Sequence, residues 1–337
     1  MAAMRIFFPI ILGGVLSLIG LEAIFQCLPV VSGLRLQSTT QELPFNRYLP
    51  RLPYTYSYGW ALSNARRGVT NQQGFNNSPD FAAGARALVI GDSFVEALML
   101  DYPQTIQGNL NRLSGGGVYA GAASGNGLAD TLEIARFYIP LIQPKNLVIV
   151  VEEGNMLSLV EPPARGHSGI QELNGKVQLV HARYEESSNK QLVLKSALAR
   201  YIYYNLKARD WLLTPEAHAV VQLPTKQQLT RRDRALAYYF QQLQRIAGQN
   251  TQVIFVVDGD RKAIYDPLHA KQIWRGDDRA AFIDRARSVG YRVVDLQPVF
   301  SQHWNVLHER LDFLPMDGHW NQVAHQLAAQ QVLPLLQ

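Results

Sequence analysis

Two short stretches hold residue types that together could turn a serine hydroxyl into a nucleophile. Gly91-Asp92-Ser93-Phe94 follows the apolar run Ala87 to Ile90 and leads into a helical pattern. This places a serine hydroxyl on a tight turn at the carboxyl end of a strand. Backbone N–H groups opening the next helix point toward any anion that forms there. Far downstream, Asp317-Gly318-His319-Trp320-Asn321 precedes a helical run from about Gln322. A serine is a poor nucleophile until a neighbouring imidazole takes its proton, and the imidazole needs a carboxylate to fix its tautomer and steady its charge. Asp317 and His319 flank one glycine, and in extended chain that spacing projects both side chains the same way. The pair suits both supporting roles, with Ser93 as nucleophile. Each stretch also has a plainer reading: Ser93 as a cap at a strand-to-helix turn, and Asn321 as the cap of the last helix.

The elements that must position these residues begin at Arg86. Short apolar runs (Ala87 to Ile90, Val118 to Ala120, Leu147 to Val151, Val253 to Val257, Tyr291 to Val294) alternate with helical patterns over 96–113, 127–141 and 278–289. This is the signature of a parallel sheet with crossover helices. The expectation is a three-layer α/β/α, doubly wound, flavodoxin-like fold with a mostly parallel five-stranded sheet, whose sites lie beyond the carboxyl ends of the strands. Residues 156–250 break the rhythm and are expected as a largely helical insertion, with helices near 191–208 and 228–248. Residues 32–85, rich in Pro, Asn, Gln and Tyr, are expected as an extended arm that packs on this 86–337 domain. Tyr54, Tyr56, Tyr58 and Trp60 alternate to give the arm one apolar face.

Before the arm, Ile6 to Leu21 carries no charge and the apolar character resumes after Glu22 through Val31, a length that spans a bilayer. Arg5 before it favours a cytoplasmic N-terminus and an extracytoplasmic remainder. A cleaved signal peptide and a buried core helix are the competing readings. The favoured one is an uncleaved anchor over residues 1–31, because the run exceeds a usual signal-peptide core. Ala23-Ile24-Phe25-Gln26 before Cys27 also lacks the small residues of a lipoprotein cleavage site. Glu22 is the anomaly, a carboxylate that lipid tolerates only near the interface, protonated or partnered.

Composition narrows the field further. The 337 residues, 47% of them hydrophobic, exclude wholesale disorder. The formal charge of +5 is spread out, with only short basic runs at Arg66-Arg67 and Arg231-Arg232, so a nucleic-acid partner is not expected. The single cysteine, Cys27, forms no intramolecular disulfide. The other histidines, including His167, His181, His303 and His308, have no metal-pair spacing, so neither metal nor cofactor is expected. His325 is expected on the surface of the last helix, with a minor candidacy as an alternative base. Arg261 or Lys262, after the fourth strand, is either a contact for an anionic sugar or, the favoured reading, solvated loop charge. Tyr201, Tyr203, Tyr204, Tyr238 and Tyr239 are expected as packing residues of helices.

Gly91-Asp92-Ser93, the glycines of Gly121-Ala122-Ala123-Ser124-Gly125, Gly154-Asn155 and Asp317-Gly318-His319 resemble, in order and spacing, the blocks of the SGNH (GDSL) hydrolases. Thr70-Asn71-Gln72-Gln73-Gly74-Phe75 and His319-Trp320-Asn321 are similar to a bacterial, exported, membrane-anchored branch of that family. The resemblance runs from Asn71 to the end and is thin across 156–250. It implies that Ser93 attacks an ester carbonyl, His319 acts as base and then acid, and Asp317 orients it. The implied oxyanion hole consists of the Ser93 and Gly125 backbone N–H groups and the Asn155 side-chain amide. The implied substrate is an O-acyl, most plausibly O-acetyl, ester of a cell-surface or secreted polysaccharide. An O-acetyltransferase using the same triad is the alternative, fed by an acyl donor such as a multi-pass membrane partner. The block Glu152-Glu153-Gly154-Asn155-Met156 departs from the family, where Asp usually follows the Asn. A glutamate aimed into the site would oppose an oxyanion, so a degenerate glycan-binding or assembly protein stays open as a third reading. A lipid esterase or thioesterase at the membrane surface is a fourth.

Overall fold

The computed structural model describes residues 2–152, 155, 159–208, 225–267 and 278–337. The chain divides into two units.

The first unit comprises residues 1–35, 53–69 and 186–219. Its helix Ala2–Cys27 contains Phe8–Cys27, apolar and long enough to cross a membrane. Strands β1 (Pro53–Tyr58) and β2 (Ser63–Val69) form an antiparallel hairpin with an irregularity between Tyr56 and Tyr58. Tyr54 is buried in it, whereas Trp60, at the turn, is 77% exposed and leaves the expected apolar face. The helix expected over 191–208 is broken into Ser188–Val193, Ala197–Arg200 and a π-helical turn Tyr201–Asn205. Ser187 and Ser196, accepting from backbone N–H groups, cap the first two. Within this last stretch Tyr203 is exposed, against its expected packing role.

The partnered state of Glu22 resolves its anomaly. Its carboxylate accepts hydrogen bonds from the Ser196 hydroxyl (2.7 Å) and the backbone N–H groups of Ala197 (2.8 Å) and Leu198 (2.9 Å). It thus satisfies the orphan donors at the start of Ala197–Arg200, which a helix cannot satisfy itself. Phe25 stacks against Tyr201 at 4.4 Å between ring centroids, one turn further on.

The second unit comprises residues 36–52, 70–185 and 220–337. The region expected as one arm over 32–85 is therefore shared, with 32–35 and 53–69 in the first unit and 36–52 and 70–85 in this one. At its centre is a five-stranded, all-parallel sheet of β3 (Ala87–Gly91), β4 (Val118–Ala122), β5 (Asn146–Val151), β8 (Gln252–Val257) and β9 (Arg292–Asp295), in the order β4-β3-β5-β8-β9. Successive side chains point to opposite faces. Leu88, Ile90, Leu147, Ile149, Phe255 and Val257 therefore enter one core with helices Leu128–Ile142, Lys226–Ala247 and Asp278–Ser288. Val89, Val118, Ala120, Val148, Val150 and Val256 enter the other with Ile106–Leu113, Leu296–Leu307 and Gln322–Val332. Burial on both faces explains why these strands read as unbroken apolar runs. The α/β/α doubly wound expectation holds. Strand order reverses between β3 and β5, the switch point where such folds form sites.

Two details depart from the expected insertion. Lys226–Ala247 buries Leu236, Tyr239, Phe240 and Leu243 in the sheet's core, so it is a layer helix of the fold, not part of an insert. The stretch before it holds an antiparallel hairpin, β6 (Ser168–Leu173) and β7 (Lys176–His181), that helical periodicity did not suggest. A further short hairpin, β10 (Asp312–Leu314) with β11 (Asp317–Trp320), precedes the final helix.

Candidate active site

The turn after β3 is built by its own residues. Asp92 Oδ1 accepts from Phe94 N–H (2.9 Å) and caps the short helix Ser93–Glu96, which ends at Ala97 in the left-handed region (φ 44°). The Asn77 amide donates to the carbonyls of Glu96 (2.9 Å), Ala97 (2.8 Å) and Leu100 (3.2 Å), and the Gln107 amide donates to that of Val95 (2.9 Å). A chain that reverses this abruptly leaves carbonyls unpaired, and these side chains satisfy them. The upstream Asn-Gln-Gln-Gly-Phe stretch supplies the framework. Asn71 Oδ1 accepts from the N–H groups of Gln73 (3.0 Å) and Phe75 (2.8 Å), and Phe75 is wholly buried. Gly74 has φ +87°, and a Cβ there would lie 2.1 Å from the Tyr48 carbonyl oxygen, so no other residue fits.

The second element, Asp317-Gly318-His319, is extended, as its spacing required. His319 Nδ1 meets Asp317 Oδ1 at 2.5 Å, and the same oxygen accepts from the His319 backbone N–H (3.1 Å). His319 Nε2 meets Ser93 Oγ at 2.8 Å, across 226 positions of sequence. Asp317 at Nδ1 places the ring proton there and leaves Nε2 to accept from the serine hydroxyl. The imidazole is 32% exposed and the carboxylate 13%, so one end of the array is open and the other enclosed. Phe94 packs on His319 (5.1 Å between centroids) and on Trp320 (5.6 Å).

The hairpin bearing this pair is tied down by Arg261. Its guanidinium donates to the Gly318 carbonyl (2.6 Å), to Asp258 (3.1 Å) and to Asp312, and Asp258 also accepts from the Trp320 indole N–H (2.8 Å). Arg261 is buried, which overturns both the sugar-contact and the solvated-loop reading, while Lys262 is exposed. His325 is likewise corrected: it is wholly buried, its Nδ1 accepts from Ile106 N–H (3.0 Å), and it packs edge-on against Trp320. Burial, with the nearby charges of His319 and Arg261, pushes its pKa down to about 3. Asn321 Oδ1 accepts from the N–H groups of Val323 and Ala324 (both 3.0 Å), so its capping role holds beside the triad geometry.

The residues expected to supply oxyanion donors lie in three separate turns, Ser93 after β3, Gly125 after β4 and Asn155 after β5. Gly125 lies in the turn after β4 with φ +86°, and a Cβ there would come within 3.4 Å of the His167 ring. Asn155 lies after β5. Its amide donates to Asp92 Oδ2 (3.1 Å) and to the Asn126 carbonyl (3.2 Å), while its Oδ1 accepts from Glu152 N–H (2.9 Å). Both amide hydrogens are thus engaged in this state, and Asn155 stitches the Ser93 turn to the Gly125 turn. Burial raises the Asp92 pKa against the hydrogen bonds from Phe94 N–H and Asn155, and the Glu152 side chain also reaches the Asp92 carboxyl. Glu153 and Gly154 lie outside the described residues, as do His218 and His269.

Three groups were missed in the sequence. Glu96, wholly buried, accepts from the Ser124 N–H (3.0 Å) and the Ser124 hydroxyl, bracing the residue before Gly125 against the turn that holds Ser93. Its pKa is raised by burial, and the buried Tyr48 lies against the same carboxylate. His167 stands beside Gly125, donates from Nδ1 to Asp130 (3.0 Å) and accepts at Nε2 from the Asn46 amide (3.0 Å). Asn46 and Tyr48 belong to 36–52, so residues of that stretch contact His167 and Glu96. Nothing local in the sequence separates Glu96 or His167 from solvated helix and loop residues.

The switch point of the parallel sheet thus carries Ser93, with His319 and Asp317 in line behind it. Residues 207–337 match the ALGX family model, described as the SGNH hydrolase-like domain of the acetyltransferase AlgX. The matched region contains Asp317 and His319, while Ser93 lies before it. Among solved structures the chain is similar to an acetyl xylan esterase, AlAXEase, at 13% identity, covering 74% of this chain and 98% of that one (TM-score 0.43). It is similar to LAE5, an α/β hydrolase from the metagenome of Lake Arreo, Spain, at 14% identity, covering 75% and 95% (TM-score 0.41). It is also similar to a carbohydrate esterase family 2 enzyme with a carbohydrate-binding domain from Corynascus thermopiles (Myceliophthora fergusii), at 12% identity, covering 80% and 70% (TM-score 0.40). No curated protein matches the chain.

Proposed function

We propose that the chain is a membrane-anchored, extracytoplasmic bacterial enzyme that moves an O-acyl group, acetyl in this reading, at a hydroxyl of a cell-surface or secreted polysaccharide through an acyl-Ser93 intermediate. The observation that carries this is the array Ser93 Oγ to His319 Nε2 (2.8 Å) and His319 Nδ1 to Asp317 (2.5 Å) at the sheet's switch point.

In the first half-reaction Ser93 Oγ attacks the ester carbonyl as its proton passes to His319 Nε2, and Asp317 steadies the imidazolium. The carbonyl oxygen becomes an oxyanion held by the N–H groups of Ser93 and Gly125. The Asn155 amide joins them by exchanging its bond to Asp92 or Asn126. Each such donor contributes about 100- to 1000-fold in rate. The alcohol leaves with the proton from Nε2. In the second half His319 Nε2 takes the proton of an acceptor, which attacks the acyl-Ser93 carbonyl, and the same proton passes to Ser93 Oγ as the acyl–oxygen bond to the serine breaks. Water as acceptor makes an esterase.

A sugar hydroxyl as acceptor makes an O-acetyltransferase, and the family whose model matches residues 207–337 carries that description. An acyl-donating multi-pass membrane partner then feeds Ser93.

Fluorophosphonate labelling of the full chain in detergent tests the site. Wild type is expected to label, and Ser93→Ala and His319→Ala to lose labelling. A folded wild type that takes no label would sink the enzymatic reading and leave glycan binding. Acetyl release against acetyl gain on one glycan then separates esterase from transferase, since exclusive gain excludes the first.

A further inference from the structure

Beyond its long helix, the first unit exposes apolar side chains that its own fold leaves uncovered. Leu192 (68%), Val193 (49%), Ile202 (44%), Tyr203 (46%) and Trp60 (77%) all face solvent. Burying such groups away from water is favourable. They sit in segments bound to the end of the long helix. Glu22 caps Ala197–Arg200, the Gln26 amide donates to the Lys195 carbonyl (3.2 Å), Phe25 stacks on Tyr201, and the Tyr201 hydroxyl donates to the Trp60 carbonyl (2.8 Å). Charge points the same way. Outside the helix, the described residues of this unit include Arg66, Arg67, Lys190, Lys195, Arg200 and Lys207, against Glu186 as the one acidic residue. Arg35 (2.9 Å) and Lys190 (3.7 Å) already pair with that glutamate.

Length fixes where this surface falls. Between Arg5 and Glu22 the 16 uncharged residues Ile6 to Leu21 rise about 24 Å, most of the thickness of a bilayer's hydrocarbon core. Glu22 and its polar partners then stand at the headgroup level, where a carboxylate is tolerated and where Trp and Tyr concentrate. Cationic side chains beside exposed apolar ones complement anionic lipid headgroups over the acyl boundary.

We infer that residues 188–203 and the turn at Trp60 form a collar that lies in the headgroup region of an anionic phospholipid bilayer, around the emerging end of the helix. This rests on reading that helix as a retained membrane anchor. The collar is a second membrane contact, made by folded residues remote in sequence from the anchor.

The test uses the full chain in nanodiscs of phosphatidylethanolamine and phosphatidylglycerol. In a Cys27→Ser background, nitroxides are attached singly at Leu16→Cys, Leu192→Cys, Ile202→Cys and, in the second unit, Val306→Cys. All four positions are exposed, so labelling spares the fold. Power saturation compares access to oxygen, which partitions into lipid, with access to a water-soluble nickel chelate. Leu192 and Ile202 are expected to show an oxygen-to-nickel ratio at least threefold above Val306, with Leu16 higher still. A high ratio at Leu16 with Leu192 and Ile202 matching Val306 overturns the collar and leaves the anchor standing. A ratio at Leu16 equal to that at Val306 overturns both.

Discussion

At the scale of residues, the array separates groups that react from groups that hold. In the proposed mechanism Asp317 acts only through His319, so Asp317→Asn keeps the hairpin but places an amide where the Nδ1 proton needs an acceptor. Loss of about 10,000-fold in kcat is expected from the wrong tautomer, and retention of more than a tenth of the wild-type rate in a steady-state assay would remove Asp317 from the site. Glu96 is a positioning residue. Glu96→Ala frees Ser124 and with it the Gly125 N–H, so a fall of about 100-fold in kcat with KM nearly unchanged is expected, because an oxyanion donor acts in the transition state. Glu96→Gln keeps an acceptor for both Ser124 donors and should restore most of the rate. Equal losses in the two variants would show that the charge, not the bracing, is what matters.

At the scale of elements, the β10–β11 hairpin and the last helix are held by buried polar groups whose titration and pairing can be measured. Arg261→Met leaves the buried Asp258 and the half-buried Asp312 without their guanidinium, and breaking a buried pair costs about 3 to 5 kcal/mol. A large drop in the thermal midpoint is expected, and an unchanged midpoint would mean that the hairpin stands without the arginine. His325 sets a pH dependence. Its folded pKa is near 3 and its unfolded value near 6.5, so below about pH 6.5 the unfolded chain binds a proton that the fold refuses. Stability from this group is therefore complete above that pH and declines as pH falls, by up to about 1.4 kcal/mol per unit. Denaturant unfolding at pH 6.5 and 4.5 should show His325→Gln losing less stability than wild type over that interval, by about 2 kcal/mol. Parallel losses in the two proteins would contradict the buried neutral imidazole.

At the scale of the whole molecule, the first unit is folded onto the end of the apolar helix through Glu22 and Phe25. A cleaved leader would take away the Glu22 carboxylate that accepts from the Ala197 and Leu198 N–H groups, so intact mass measurement of the membrane-extracted chain is expected to find the N-terminal helix still attached. A mature form starting after Cys27 would refute this. The alternation of strands and helices, the serine on its turn, the extended Asp317–His319 pair and the membrane-length helix were all legible in sequence. Each depends on hydrophobic period, turn chemistry or spacing over a few residues. Glu96, Arg261, His325 and the engaged amide of Asn155 were not. A charged or polar side chain reads as solvated until distant elements close over it and supply its partners, and Arg261 met Gly318, Asp312 and Asp258 only once the sheet was wound. The sequence by itself determined which residues could react. Only the tertiary structure decided that Ser93 and His319 meet across 226 positions, and which buried carboxylates and amides hold them there. Local preferences act along the chain, whereas desolvation and hydrogen-bond satisfaction are set by whatever packs across it.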